Sequence, residues 1–356
     1  MNDASPNGLP TNRDAVREHR PGLVSPEERF RCPRCRGGLA REGEWLACMA
    51  CAARYPLEGD VPDFAQGRDE FYEGRFVESM SDTIGGERWS RTPIGAAVNA
   101  VWRWVSISAR RQRFIRRFVA KGSGRILDLA CGGGTQARVG AGEITGVDLS
   151  WASVWQARRS YEAAACADAK SLPFADEAFD VVFSSDFFGH VPEGSKDAVF
   201  EEIRRCLRPG GRVVFIAETD SRNPLTAAVK RQADLYQQKF IEEIGGHYGL
   251  ELPSALDARL RRLGFAPVSV RKIYSVLWPM ETYRRMLGGP YAARALRFRL
   301  IAAIARLLCV HPAIRHGADC AAGLASDMIE ALLPFDWGVG VCGVYRWTSE
   351  ASVAEP

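Results

Sequence analysis

Four cysteines fall into two pairs, Cys32 with Cys35 and Cys48 with Cys51, with twelve residues between the pairs. A Cys-x-x-Cys turn sets two sulfurs on one side of a tight knuckle. Two knuckles at the ends of a hairpin close a tetrahedral thiolate cage, the arrangement zinc takes in structural sites. The intervening RGGLAREGEWLA offers Gly-Gly and Glu-Gly turns for that hairpin. The doubled spacing favours a metal over four unligated buried thiols. Protein would fill every position on the ion, so this zinc would fold the module and not catalyse.

A different chemistry begins at LDLACGGG, residues 127–134. Gly132, Gly133 and Gly134 give up three side chains where an apolar strand meets a helix, the unit that brings backbone N–H groups close to a ligand. Alone, such a loop says little. The next strand, in EITGVDLS, ends in Asp148, where a carboxylate can accept both hydroxyls of a ribose. AAACADAKSLPFADEAFDVVFSSDFF follows, with a short strand ending at Asp168, a loop and a fourth strand over 179–184. EEIRRCLRPGGRVVFIAE then supplies a helix, a Pro-Gly-Gly turn and a fifth strand. Strands and helices alternate throughout, which predicts a parallel, doubly wound sheet.

The ligand can be narrowed by what is missing. A dinucleotide site wants a further glycine where Thr135, Gln136 and Ala137 stand, and no phosphate-loop motif occurs anywhere. Asp128 would repel phosphate yet could pair with the cationic end of an amino acid. A ribose, an adenine and an amino-acid tail together satisfy both acids, and S-adenosylmethionine carries all three.

Residues 121–217 resemble the class I S-adenosylmethionine-dependent methyltransferases of the small-molecule branch, whose signatures read LDLGCGTG, GVDLS, DAxxLPFxDxxFDVV and LRPGG. The resemblance implies that Asp128 and the loop Ala130, Cys131, Gly132, Gly133 and Gly134 face the methionine end of the cofactor. It places the ribose on Asp148 with Leu149 beside the adenine, and the adenine edge on Asp168 and Ala169. Ser184 and the segment to His190 would line the methyl-transfer side. Ala130 departs from the family's usual glycine, and the connection to the second strand is shorter than usual. Residues 30–66, through CPRC, CMACAARYPLEGDVPDF and the two knuckles, resemble the zinc ribbon of small activator proteins that dock on methyltransferases, here fused in cis. That likeness implies a docking or stabilising role.

Methyl transfer is an in-line displacement, so alignment and exclusion of water come first. An acceptor hydroxyl or amine also needs a base within reach. His190, in SSDFFGHVPE, is the candidate base, with a packing role as its alternative and Asp186 as a weaker choice. SSDF stands where adenine-N6 and glutamine-amide enzymes carry Asp/Asn-Pro-Pro-aromatic, and no Pro-Cys pair offers a cytosine-C5 nucleophile. Cys131 is read as a small packed residue.

These groups need a scaffold, and 356 residues suffice for one large core and a small satellite. The expected fold class is α/β: a seven-stranded doubly wound Rossmann-like methyltransferase sheet with helical cap insertions and a small N-terminal zinc ribbon. The expected division is a disordered tail over 1–28, the ribbon over 29–66, a helical connection over 67–120, the methyltransferase domain over 121–348 and a tail over 349–356. In the connection, Trp102, Val105, Phe114, Ile115, Phe118 and Val119 are candidate buried positions, and Arg103, Arg110, Arg113 and Arg117 recur on another face. Helical insertions near 220–250 and 275–336 suggest a roofed pocket. The second carries Leu300, Ile304 and Leu308 on one face, interrupted by Arg294, Arg297, Arg299 and Arg306, and could cover a core or lie on a bilayer.

Charge is nearly balanced, +4 from 47 basic and 43 acidic residues, which does not demand a polyanionic partner. No secretion signal and no apolar run of about 18 residues is present, and ten cysteines suit thiols and metal in a cytoplasmic chain. The expected activity is methylation of a bulky or hydrophobic small metabolite on oxygen, nitrogen or carbon. The alternatives are an rRNA or tRNA base methyltransferase using the ribbon on RNA, and a non-catalytic scaffold. Peripheral membrane contact and a homo-oligomer stay open.

Overall fold

A computed structural model describes residues 24–65, 67, 73, 93, 97, 100, 101, 107–119, 124–134, 143–238, 246–273, 275, 280, 283, 284, 287 and 295–348, and these include eleven strands and nine α-helices. Residues 1–23 of the tail expected over 1–28, the tail expected over 349–356, most of the first forty residues of the connection expected over 67–120, and the short helix expected over 135–142 lie outside these residues.

Seven strands make the main sheet: β5 (Arg125–Leu129), β6 (Glu143–Asp148), β7 (Ala163–Cys166), β8 (Phe179–Ser185), β9 (Leu207–Glu218), β10 (Phe265–Ile273) and β11 (Gly340–Trp347). Their order is β10-β11-β9-β8-β5-β6-β7, the four pairs of neighbours from β9 to β7 running parallel and β11 lying antiparallel between β9 and β10. Strand side chains alternate between faces. Leu127, Leu129, Val182, Phe215 and Tyr345 therefore enter one core, while Ile126, Val181, Phe183, Val214 and Val344 enter the other. Both faces are covered, as parallel crossovers require. The Pro209-Gly210-Gly211 turn sits inside β9 as a bulge: Phe179 pairs with Leu207, but Val181 pairs with Arg212.

Helix α2 (Ile107–Val119) covers one face, burying Ile115 and Val119 with Phe114 and Phe118 packed at its edge. Trp102 and Val105 lie outside the described residues. Helix α3 (Trp151–Ala157) starts at Ser150, whose hydroxyl accepts the Ser153 N–H at 3.2 Å. On the other face, α4 (Lys196–Cys206) buries Val199, Phe200, Ile203 and Cys206 at helical spacing, and α7 (Pro253–Arg262) adds Leu256 and Leu260.

The ribbon begins with a helical turn, α1 (Pro26–Arg29), earlier than residue 29, and continues as the antiparallel sheet β1 (Leu39–Glu42), β2 (Trp45–Cys48), β3 (Arg54–Glu58) and β4 (Val61–Pro62). It is not a separate bead. Phe30, Leu46, Tyr55, Leu57 and Phe64 belong to the same core cluster as Leu127, Val182 and Phe215. Phe30 stacks between Phe64 and Phe174, with ring centroids 5.6 and 5.5 Å away. β7 is an edge strand, and the ribbon's exit covers it: Asp63 bridges Cys166 in parallel and the Phe64 N–H donates to the Cys166 carbonyl at 2.8 Å. An open edge would otherwise invite pairing with another chain.

The two helical insertions form one cap. Ala228 and Val229 of α5 (Pro224–Lys230), with Tyr236 of α6 (Ala233–Tyr236), pack on Tyr283, Leu287 and Phe298, Ala302 and Ala305 of α8 (Leu296–Leu308). α9 (Pro312–Glu330) lies next to α8 and α2. Of the alternatives open for α8, the face with Leu300 and Ile304 does not cover this core: the two are 56% and 58% exposed, and Phe298, Ala302 and Ala305 make the contact. Among the described residues no helix is long and apolar enough to cross a membrane.

Two outcomes follow from this packing. Phe30→Ala should lower stability by about 3–5 kcal/mol within a single calorimetric transition; a separate early melting of the ribbon with the rest unchanged would contradict the shared core. Ala130 sits at φ +58°, in the left-handed region. Ala130→Gly should therefore gain about 0.5–1 kcal/mol in urea unfolding, the relieved strain less glycine's extra chain entropy, and a less stable variant would contradict strain there.

Candidate cofactor and acceptor site

The four cysteines converge as their spacing implies. Cys32 and Cys51 sulfurs lie 3.7 Å apart, Cys35 and Cys48 sulfurs 3.4 Å apart, and all four lie within 4.8 Å of one another. The knuckles repeat one geometry. The Arg36 and Ala52 N–H groups donate to the Cys32 and Cys48 carbonyls at 2.7 and 3.1 Å, and Arg36 and Ala52 take φ +62° and +56°. A tetrahedral ion with metal–sulfur bonds of about 2.3 Å needs sulfurs roughly 3.8 Å apart, so the cage fits zinc. Tyr55, buried beneath it, is hydrogen-bonded to the Cys32 sulfur at 3.1 Å.

The glycine loop leaves β5 beside β6. The Asp148 carboxylate at the tip of β6 accepts the Gly132 N–H at 2.9 Å with one oxygen and the Ser150 N–H at 2.9 Å with the other. It clamps the loop and keeps a lone pair on each oxygen for further donors. The three glycines have different reasons. A Cβ on Gly133 would come within 2.8 Å of Gln156 Oε1, and one on Gly134 within 3.0 Å of Ala157 Cα. Gly132, at φ +51°, would meet nothing, so it alone opens onto free space. Cys131 is buried, as the packing reading expects.

Asp128 is 2% exposed and accepts the Tyr161 hydroxyl at 2.5 Å. Burial pushes its carboxyl up to about 7, against the Tyr161 hydrogen bond and with help from the Asp148 charge. Loss of water also raises Asp148, opposed by its backbone hydrogen bonds. Among the described residues neither carboxylate has a basic partner. Glu73 reaches the first N–H groups of α3, Trp151 and Ala152 (3.1 Å), next to Asp148.

On the adenine side, Leu149 is half-buried and its carbonyl accepts the Cys166 thiol at 3.1 Å. Asp168 accepts the Lys170 N–H at 2.9 Å and pairs with the Lys170 amine at 3.3 Å. Ala169 packs on the core. Ser184 faces inward: its fully buried hydroxyl donates to the Leu129 carbonyl at 2.9 Å, tying β8 to β5.

Past the ends of β8 and β9 lies a cluster that the sequence revealed only in part. Asp186, at φ +58°, holds the Arg111 guanidinium and accepts the Ser185 hydroxyl at 2.9 Å. Burial acts to raise Asp186, but Arg111 outweighs it and holds the carboxyl below its usual range. Glu218, the last residue of β9, is pushed well up by burial and by the Asp186 carboxylate. One proton thus serves two carboxyls. The His190 ring stacks on His247, centroids 4.5 Å apart at 27°, and His247 Nε2 lies 4.0 Å from Glu218 Oε1.

Arg111, Tyr161, Glu218 and His247 escaped the sequence reading. Arg111 hid in an arginine-rich helix, and His247 lies in an insertion far from His190. Glu218 did carry a signal, an acid at the carboxyl end of a buried strand. Of the arginine stripe, Arg110 donates to the Gly323 carbonyl, Arg113 and Arg117 are exposed, and Arg103 lies outside the described residues.

The family model described as "Methyltransferase domain" matches residues 127–215, from the glycine loop into β9. Among curated relatives, the O-methyltransferase cnsE of Penicillium expansum is 26% identical over 281 residues, 74% of this chain and 94% of that protein. The ubiquinone/menaquinone biosynthesis C-methyltransferase UbiE of Desulfotalea psychrophila is 32% identical over 43% of this chain and 63% of its own length. The 27-O-demethylrifamycin SV methyltransferase of Amycolatopsis mediterranei is 34% identical over 44% of this chain and 60% of its own. Matched motifs, strand order and glycine loop agree: the chain is a class I S-adenosylmethionine-dependent methyltransferase of the small-molecule type, with a four-cysteine cluster ahead of the fold.

Proposed function

We propose that the protein methylates a bulky, hydrophobic small metabolite, with the cofactor held at the glycine loop and the acceptor beneath the helical cap. One observation carries the cofactor placement: two carboxylates, Asp128 and Asp148, bracket the open face of Gly132 without a basic partner among the described residues. Such a site repels phosphate and suits a ligand with a cationic tail and a ribose. Bound there, S-adenosylmethionine supplies an electrophilic methyl on a sulfonium sulfur. Asp128 would meet the methionine end, Asp148 would accept the ribose hydroxyls, and Leu149, Asp168 and Ala169 would border the adenine.

The acceptor's reacting atom would enter at the ends of β8 and β9, where Asp186, His190, Glu218 and His247 gather, and lose its proton to this cluster, with His190 foremost. The apolar cap formed by α5, α6 and α8 supports a hydrophobic acceptor and an excluded-water site. The relatives' names include O- and C-methyltransferases, in keeping with a small organic acceptor. The four cysteines would hold a structural zinc that steadies the ribbon against the sheet edge. Two arginines of α2, Arg110 and Arg111, are spent on Gly323 and Asp186, while Arg113, Arg116 and Arg117 stay exposed.

The Asp128 shift gives a signed test. In the free protein the folded state keeps a proton that the unfolded chain has released, so this group's contribution to stability falls as pH rises from about 4 to about 7. A cationic ligand prefers the ionised carboxylate. Affinity for S-adenosylmethionine should therefore rise with pH up to about 7 and then level off, with a proton released on binding below that point. Calorimetry in buffers of different ionisation enthalpy would show it. Asp128→Asn should abolish the released proton and weaken binding roughly tenfold; unchanged proton release in the variant would contradict the assignment.

A further inference from the structure

We propose that His190, Glu218 and His247 form a binding site for a first-row divalent metal ion, separate from the four-cysteine cage. Three elements deliver the ligands: the loop after β8, the tip of β9, and the segment entering α7. All three ligand atoms lie within 4.8 Å of one another. Bonds of about 2.0–2.2 Å to imidazole and carboxylate put neighbouring ligands roughly 3–3.5 Å apart, so small side-chain rotations close the site.

The main chain is shaped for this approach. The Gly249 N–H donates to the Gly189 carbonyl at 3.0 Å, joining the two histidine-bearing segments. A Cβ on Gly189 would press on Glu218 Oε2 and His247 Cδ2 at 3.2 Å, and one on Gly249 would strike the Val191 carbonyl oxygen at 1.6 Å. The Lys196 amine, itself 1% exposed, fixes the far side by donating to the Gly249 carbonyl and to Glu251 Oε1 at 2.8 Å. This is costly construction around a pair of stacked imidazoles. Glu218 Oε2 is buried without a hydrogen-bond partner among the described residues, and it faces the same Gly189 position as the His247 ring. Asp186 is held by the Arg111 guanidinium, which leaves the Glu218 carboxyl to face the two rings.

Two imidazoles and one carboxylate suit zinc and its borderline neighbours, and leave coordination positions for a substrate. Resting on the proposed function, the ion would hold an acceptor oxygen opposite the cofactor methyl and make its O–H more acidic. The O–H proton passes to the Asp186 carboxylate, the member of the cluster that is not a ligand, the oxygen lone pair bonds the methyl carbon, and the carbon–sulfur pair returns to sulfur, leaving S-adenosylhomocysteine. With the ion bound, His190 orients the oxygen as a ligand and leaves the proton to Asp186.

Cobalt(II) tests this on the full-length chain, because thiolate and imidazole–carboxylate sites differ in absorption. Metal-stripped protein titrated with Co2+ should bind one equivalent that lacks thiolate charge-transfer absorption. His247→Ala and Glu218→Gln should each weaken that equivalent at least tenfold, leave the thiolate band unchanged, and keep S-adenosylmethionine binding, which also reports that they are folded. Absence of the non-thiolate equivalent in the parent, or its persistence in both variants, would overturn the site. Failure of the parent to bind S-adenosylmethionine would instead sink the cofactor reading, while cobalt lost in the variants would still support the metal ligands.

Discussion

The bond on which the site depends is the pair of backbone hydrogen bonds into Asp148. By accepting from Gly132 and Ser150, this one carboxylate fixes the exit of β5, the exit of β6 and the start of α3 relative to one another. An acid at the tip of a parallel strand is costly when enclosed. Here the cost is offset by two N–H donors, at the place where strand order turns from β8 to β5 and β6. Asp128 repeats the device one strand over, held by Tyr161 in place of backbone. On the proposed cofactor placement, binding chemistry and loop architecture are the same set of contacts, and a ligand that satisfies the carboxylates would also stiffen the loop.

The ribbon solves a different difficulty. Five parallel strands end at β7, a four-residue edge bearing small residues, Ala163 to Cys166. Asp63 and Phe64 pair with that edge, Arg31 donates to the Pro173 carbonyl, and Ser171 donates to the Pro33 carbonyl. Phe30 and Phe174 then fuse the two cores. The four-cysteine cage fixes the hairpin that carries these contacts, so its influence reaches the loop that holds Asp168 without touching the chemistry.

Much of this was legible before any coordinates. Paired cysteines, alternating strands and the order Asp128, Gly132–Gly134, Asp148 depend on local spacing, and local spacing is what a sequence displays. Seven strands and a ribbon were expected and are present. The misses share a cause: they depend on distant segments meeting. Tyr161 is meaningful only because it reaches Asp128, and His247 only because the loop at 246–251 folds back on Gly189. Ala130 departs visibly from the family's glycine, but only its φ of +58° shows that the replacement is strained. The face of Leu300 and Ile304 was legible as apolar but not as inward or outward; the structure leaves it exposed and turns Phe298, Ala302 and Ala305 inward.

The most direct measurement of the central claim is a crystal structure of the complex with S-adenosylhomocysteine. Both ribose hydroxyls should donate to the Asp148 carboxylate, with the amino-acid tail crossing Gly132 toward Asp128 and the sulfur directed at the ends of β8 and β9. A nucleoside seated elsewhere, with Asp148 still engaged only by its own loop, would contradict it.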